Sequence, residues 1–500
     1  MKIRIQITIL LIVVLLNAKA QYQAANWPMQ YNDLVLKITT DTFEIDSLPD
    51  CPYTIGCSGP VGFIANSSIS DSAGKLLLFS FGEDIRNKYG GLVAGGTEIT
   101  YGIDLPGDSS NSDGWDPHSQ GALFLPRPGS ATQFYLFIKD WDSTYNGQPS
   151  RVTATLTDIT ANNDSGKVLR ATQVIMQGNM LSDARMTACQ HANGRDWWLI
   201  NHQYLTNVIY THLITPDSIY GPFEQSIGLP GLEPDDAGWS IFSPEGSTFA
   251  TATEGMGAIT LLDFDRCSGT FSNFRQINTV AADSGNYFNL AFSLNGRFLY
   301  ASDYRYLEQY DLEDSDINAS RVQLVHDTAG FPLIYQMVLM PNGKIYQVGF
   351  TVIDSMLSVI DSPDVKGLGC GFHLRSVLVA NSLEMTNVPN FPTYNLGPVK
   401  GSACDTLNTG IITPTQGENS IRVFPIPAAD NVNIITSLNP DESGIIELYN
   451  IEGVKMREIQ VTGGTITSIL QIDNLADGVY LYYLHTNQQY YARGKLVIAK

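Results

Sequence analysis

The sequence predicts an all-β chain, a β-propeller of about seven blades followed by a small C-terminal β-sandwich. Beyond residue 21 the apolar residues come in short runs broken by Gly, Asn, Asp and Pro, with no long amphipathic helical pattern. A turn-plus-strand unit recurs from residue 70 to residue 349. The last eighty residues change texture and hold several short strands of alternating polarity.

The chain has 500 residues, too many for one ordinary core, so at least two domains are expected. Hydrophobic residues make up 43% and charged residues 16%, a balance that favours packed cores over disorder. The 44 glycines and 24 prolines suit a body rich in turns.

The N-terminus reads as a secretory signal over residues 1–20. Lys2 and Arg4 form a basic start, Ile7 to Leu16 an apolar run, and Ala18-Lys19-Ala20 a cleavage motif that places the cut between Ala20 and Gln21. The apolar run is too short to span a bilayer, which takes roughly 20 residues. No later segment is apolar and long enough to cross a membrane. Removing Lys2, Arg4 and Lys19 makes the mature chain three charges more negative than the full chain's −21. Such a surface disfavours nucleic acid and anionic membranes as partners.

The body is expected over residues 21–408. Its repeat is clearest at Phe242 to Ala252, Phe292 to Ser302 and Leu339 to Gly349, with weaker copies around Gly74, Gly129 and Gly194. With Gly246, Gly296 and Gly343, the six marker glycines are 55, 65, 52, 50 and 47 residues apart. A glycine at positive φ in a tight turn, followed by a strand, is one hairpin of a blade. A period near 45–50 residues suits four-stranded blades. Six markers plus a closing blade built from both ends give about seven.

All six cysteines lie in the mature part: Cys51, Cys57, Cys189, Cys267, Cys370 and Cys404. An even count in an exported chain favours disulfides, and six cysteines allow fifteen connectivities. The expected pairs are Cys51–Cys57, Cys370–Cys404 and, by elimination, Cys189–Cys267. No CxxC spacing suggests structural zinc.

Residues 409–419 read as a polar linker. Residues 420–500 then resemble the type A sorting domain of the type IX secretion system of Bacteroidetes. The motif residues are Val423-Phe424-Pro425-Ile426-Pro427, Glu447-Leu448-Tyr449-Asn450-Ile451-Glu452-Gly453, Leu475-Ala476-Asp477-Gly478-Val479-Tyr480 and Lys495-Leu496-Val497-Ile498-Ala499-Lys500. Ile426 replaces the asparagine usual between the two prolines. The positions carried over are Pro425, Pro427, Gly453, Gly478, Tyr480 and Lys495. The resemblance implies Sec export through the periplasm, recognition of residues 420–500 by the outer-membrane translocon, and a secreted or cell-surface destination. The body also resembles large secreted proteins of the same bacteria through Phe242 to Ser247, Phe292 to Tyr300 and the closing stretch Pro389 to Gly397, which implies architecture but no activity.

Chemistry is sparse in the sequence. The seven histidines form no HExxH-type pattern, and no GxSxG elbow or P-loop is present. His191 and His202 flank Trp197-Trp198 and are read as ordinary strand-end histidines. Ser109 to Gly114 and Asp311 to Asp316 are acidic enough to weigh as calcium sites, but neither holds a full ligand set, so no cofactor or metal is assigned. Trp197, Trp198, Trp239, Tyr304 and Tyr306 could stack on a sugar or a partner protein, although packing between blades accounts for them more simply. The expected function is a binding or adhesion scaffold for an extracellular glycan or protein. The alternative, a secreted hydrolase or lyase acting on polysaccharide, predicts Asp, Glu, His or Arg side chains converging at one mouth of the axial channel, and a blocked channel excludes it. A third reading is a structural component of the cell surface or a matrix.

Overall fold

The computed structural model describes residues 22–29, 34–39, 43–50, 65–99 except 83 and 98, 120–141, 149–231, 238–253, 257–278, 289–326 except 304, 335–349, 356–379, 387–405 except 395, 420–424, 428, 431–450, 453–486 and 490–498. The signal region with Ala20 and Gln21, Cys51, Cys57, the 109–114 loop, Pro425 and Pro427 lie outside these residues. The chain divides into two compact units, residues 1–405 and 406–500. Among the described residues no helix is long and apolar enough to cross a membrane.

Among the described residues the body folds into seven antiparallel sheets, each made of strands consecutive in sequence. The first holds β1 (Asn26–Pro28), β2 (Leu34–Ile38) and β3 (Phe43–Ser47), and the second β4 (Ser67–Ser70), β5 (Leu76–Ser80) and β6 (Arg86–Asn87). The third runs β7 (Ala122–Pro126), β8 (Gln133–Trp141), β9 (Pro149–Asp158), β10 (Lys167–Gln177). The fourth runs β11 (Thr187–Gln190), β12 (Trp197–His202), β13 (Val208–Ile214), β14 (Ile219–Ser226). The fifth is β15 (Gly238–Phe242), β16 (Thr248–Thr253), β17 (Ala258–Asp265), β18 (Thr270–Asn278). The sixth is β19 (Asn289–Phe292), β20 (Phe298–Ser302), β21 (Tyr306–Asp311), β22 (Val322–His326), and the seventh β23 (Met337–Leu339), β24 (Ile345–Gln347), β25 (Met356–Ile360), β26 (Phe372–Leu378).

The first strand of each sheet packs beside the first strand of a neighbouring sheet, as in β1 with β4, β4 with β7, β11 with β15, β15 with β19 and β19 with β23. That contact pattern makes the sheets blades around an axis. Burial falls from the axis outwards: β12 and β20 are buried throughout, whereas β14 and β18 are largely exposed. Blades pack on one another through apolar side chains, and Trp27, Leu36, Leu261, Phe292, Leu299 and Tyr346 share one cluster that joins the first blade to the last ones.

All six marker glycines occupy the turn between the first two strands of a blade at positive φ: Gly74 at 80°, Gly129 at 77°, Gly194 at 74°, Gly246 at 77°, Gly296 at 75° and Gly343 at 76°. These turns mark one face of the propeller, here the turn face. The innermost strands β4, β7, β11, β15, β19 and β23 begin at the opposite, entry face.

The first blade departs from this pattern. Asn26 Nδ2 donates to Ser70 Oγ at 2.7 Å, and Asn66 Nδ2 donates to Pro28 O at 3.1 Å, so β1 runs antiparallel to β4. Its first strand thus lies beside β4 in the opposite sense to an ordinary innermost strand. Residues from the other end of the body enter on that side, where Trp27 Nε1 donates to Asn387 O at 3.1 Å. Among the described residues the two ends of the body therefore meet at the first blade through a side chain, with no continuous ladder between them.

The C-terminal unit is built from β27 (Ser420–Phe424), β28 (Asn431–Asn450), β29 (Lys455–Gln471), β30 (Gly478–Thr486) and β31 (Tyr490–Ile498). The β28–β29 hairpin breaks register between Leu438 and Ser443. Before the break β28 pairs with β27, and after it with β30. Val432 and Ile434 from one half and Ile446 and Leu448 from the other share one core with Leu470, Tyr480, Leu484 and Leu496. The long hairpin thus serves both layers of a β-sandwich.

Candidate functional site

The axis of the body is occupied by its own chain. Residues 387–394 and 396–398 run from the entry face to the turn face. Val388 N donates to Gln336 Oε1 at 3.0 Å, just ahead of β23. Asn390 N donates to Asn66 O at 2.8 Å. The Asn390 side chain is 1% exposed; its Nδ2 donates to Ala122 O at 3.1 Å and Met186 O at 2.9 Å, and its Oδ1 accepts from Gln120 Nε2 at 3.3 Å. Gln120 is paired both ways with the backbone of Ser240, accepting from its N–H and donating to its carbonyl, each at 2.8 Å. One buried residue therefore ties blade two through its backbone N–H, blades three and four through its side-chain amide, and blade five through Gln120. Nothing polar in it is left unpaired, which is the condition for burying an amide without a penalty.

Farther along, Tyr394 Oη donates to Phe124 O at 2.9 Å, and its ring meets Trp197 edge-on at 5.9 Å. Thr393 forms a parallel bridge with Cys189 on β11. At the turn face Arg266 donates to Gln190 O at 2.8 Å and Gly397 O at 2.6 Å. Cys404 is then bonded to Cys267, with Cα atoms 5.6 Å apart, in the β17–β18 turn of blade five. Pro389, Pro392 and Pro398 lack N–H groups and cannot sustain a ladder, so side chains and isolated backbone groups hold the segment.

The disulfide pairing differs from the one expected from the sequence. Cys404 pairs with Cys267, not with Cys370, and Cys189 is not bonded to Cys267. Cys370 is buried beside β26 in blade seven, in a cluster with Tyr300, Met337 and Ile345, whereas the axial segment delivers Cys404 to blade five. Cys189 is buried on β11, and burial pushes its thiol up to about 12.

Charged side chains gather near the entry face between blades three and four, and all are engaged. Lys139, fully buried, donates to Ser182 O at 2.7 Å and to Ala184 O. Asp140 pairs with Arg151 at 3.1 Å, and Arg185 Nε donates to Ser182 Oγ at 3.0 Å. His202 Nε2 lies 3.1 Å from Ser240 Oγ, with its ring stacked on Phe249. Burial, followed by the nearby Arg185 and Lys139 cations, holds His202 well below the usual imidazole range.

His191 and His202 do not pair. His191 sits at the turn face, Nε2 3.0 Å from Cys267 O, and His202 at the opposite end of β12. Trp197, Trp198 and Trp239 are buried between blades, and Trp198 Nε1 donates to Arg266 O at 2.9 Å. Tyr306 stacks on His326 at 4.4 Å; Tyr304 lies outside the described residues. In the acidic 311–316 loop, Asp311 receives Arg297 Nη2 at 2.8 Å and Lys366 Nζ at 3.1 Å, which hold its carboxyl well below the usual range. Among the described residues no group of His, Cys, Asp and Glu is arranged to hold a metal.

In the C-terminal unit, Gly453 has φ 79° in the β28–β29 turn, and its N–H donates to Asn450 O at 3.0 Å. Gly478 opens β30, Tyr480 Oη donates to Ala476 O at 2.9 Å, and Lys495 is exposed on β31. On the outer face Glu447 accepts from Lys455 at 3.0 Å, Tyr449 Oη at 2.8 Å and His485 at 2.6 Å, which lowers its carboxyl to about 2.

Residues 422–499 match the secretion system C-terminal sorting domain. The sorting domain directs export by the type IX secretion system to a secreted or cell-surface location. No curated protein matches the chain. Among solved structures, a provisionally assigned 6-phosphogluconolactonase of Bacteroides fragilis is 12% identical, at a TM-score of 0.44 over 73% of this chain and 95% of its own. The periplasmic gluconolactonase of Pseudomonas aeruginosa is 12% identical, at a TM-score of 0.36 over 70% of this chain and 88% of its own. Hsv2 of Kluyveromyces lactis is 11% identical, at a TM-score of 0.33 over 67% of this chain and 91% of its own. None of these likenesses bears on activity.

Proposed function

We propose that the mature protein is an extracellular or surface-held propeller that binds a glycan or a protein. Residues 1–20 would take the chain through Sec, and residues 420–500 would engage the outer-membrane translocon. The observation that carries the binding reading is the filled axis. A hydrolase or lyase with its site inside the axial channel needs that space for its substrate, and here residues 387–394 and 396–398 occupy it with a buried, fully paired Asn390. What remains for a ligand is the outer surface of the blades and their loops.

The test is a glycan array and a pull-down on surface partners, both with the folded mature chain. Specific retention by a glycan or a surface protein supports a binding scaffold. Two blank results, or turnover of a polysaccharide by the same preparation, would overturn it.

A further inference from the structure

We propose that residues 387–405 are an axial latch, threaded through the propeller and fastened by oxidation of Cys267 and Cys404. The inference rests on the body alone; the export reading enters only in saying where oxidation takes place.

Three observations lead to it. The segment's contacts reach the first five blades and the seventh, so it is the part of the chain that sees most of the ring at once. Among its described residues it joins no continuous ladder, only isolated bridges at Thr393 and Pro398. A ring held partly by such a segment can open locally at lower cost than by fraying a four-stranded blade. Its last anchor is covalent: the bond closes 137 residues of chain between blade five and the end of the body.

The chemistry balances as thiol–disulfide exchange. The Cys267 and Cys404 thiols lose two protons and two electrons in forming one S–S bond, and a disulfide donor takes up the electrons and becomes two thiols. Such donors act in the oxidising space beyond the inner membrane. The latch would therefore be fastened after the first membrane crossing and before the last.

The fold carries its own reporter. Cys189 lies directly under the segment, bridged to Thr393, and a Cβ placed on Gly246 would meet both Leu396 Cδ1, at 2.7 Å, and Cys189 Sγ, at 3.0 Å. Cys370 is equally buried in blade seven, away from the Cys267–Cys404 anchor.

The experiment uses the folded mature chain, residues 21–500, with alkylation of each cysteine followed by peptide mass spectrometry. Mild reduction of the wild type, without denaturant, is expected to speed labelling of Cys189 about tenfold or more while Cys370 stays protected. The Cys267→Ser/Cys404→Ser variant is expected to show the same selective exposure. The proposal is overturned if Cys189 stays protected after reduction, because the bond is then a peripheral staple. It is equally overturned if Cys189 and Cys370 open together in the reduced wild type, because the bond then holds the whole body and not a latch.

Discussion

Asn390 donates its side-chain amide to the carbonyl of Met186, 204 residues earlier in the chain, at 2.9 Å in a fully buried setting. The same amide group reaches Ala122 O, so strand β7 and the residue leading into β11 share one donor group. That arrangement turns an open-axis scaffold into a closed one.

Replacing it should be costly. Asn390→Leu keeps the size but strips the partners from the carbonyls of Ala122 and Met186 and from Gln120. A buried group left without its partner costs about 1–3 kcal/mol, so a loss of about 3 kcal/mol or more is expected. The urea midpoint of the mature chain, compared with wild type, checks it.

The turn glycines should divide by their surroundings. Gly246 (φ 77°) and Gly401 (φ 77°) share a left-handed backbone that costs an L-residue about 1–2 kcal/mol. A Cβ at Gly246 would also meet Leu396 at 2.7 Å, whereas nothing lies within 4 Å at Gly401. Gly246→Ala should therefore cost about 3 kcal/mol and Gly401→Ala about 1. Thermal denaturation of the two variants side by side measures the difference.

Acid should weaken the body before its carboxylates titrate. His212 is fully buried on β13, and burial lowers its pKa to about 4. The unfolded chain takes up this proton near pH 6.5 and the folded chain only near pH 4, so the unfolded state binds more protons in between. Stability from this group is complete above pH 6.5 and falls as the pH drops towards 4, by about 3 kcal/mol. In His212→Leu that part of the slope should vanish, as read from denaturant midpoints at pH 7, 6, 5 and 4.5.

Much of the architecture was readable because it rests on local rules. Six glycines were legible as turns, since only a left-handed residue closes a tight hairpin, and all six adopt that φ. Trp197 and Trp198 were legible as packing residues from their place in a strand. The alternation at Val432 and Ile434, and again at Ile446 and Leu448, was legible as strand patterning, and the structure puts all four in one core. The axial segment was not, because Pro389, Pro392 and Pro398 erase any strand period and its partners lie up to 360 residues away, as with Trp27 and Asn387. The same distance hid the Cys267–Cys404 pair, since spacing along a chain carries no record of what a threaded segment brings together. The signal that could have exposed the segment is its mix of prolines and aromatics with Asn387, Asn390 and Asn395, amides able to satisfy backbone groups where no ladder can form.

The most direct test of delivery compares the full chain with one lacking residues 420–500, both expressed in a host with type IX secretion. Culture medium, surface and periplasm are then assayed for the body. The shortened protein is expected to be folded, to carry the Cys267–Cys404 bond and to stay in the periplasm. Equal amounts of both proteins outside the cell would contradict that expectation.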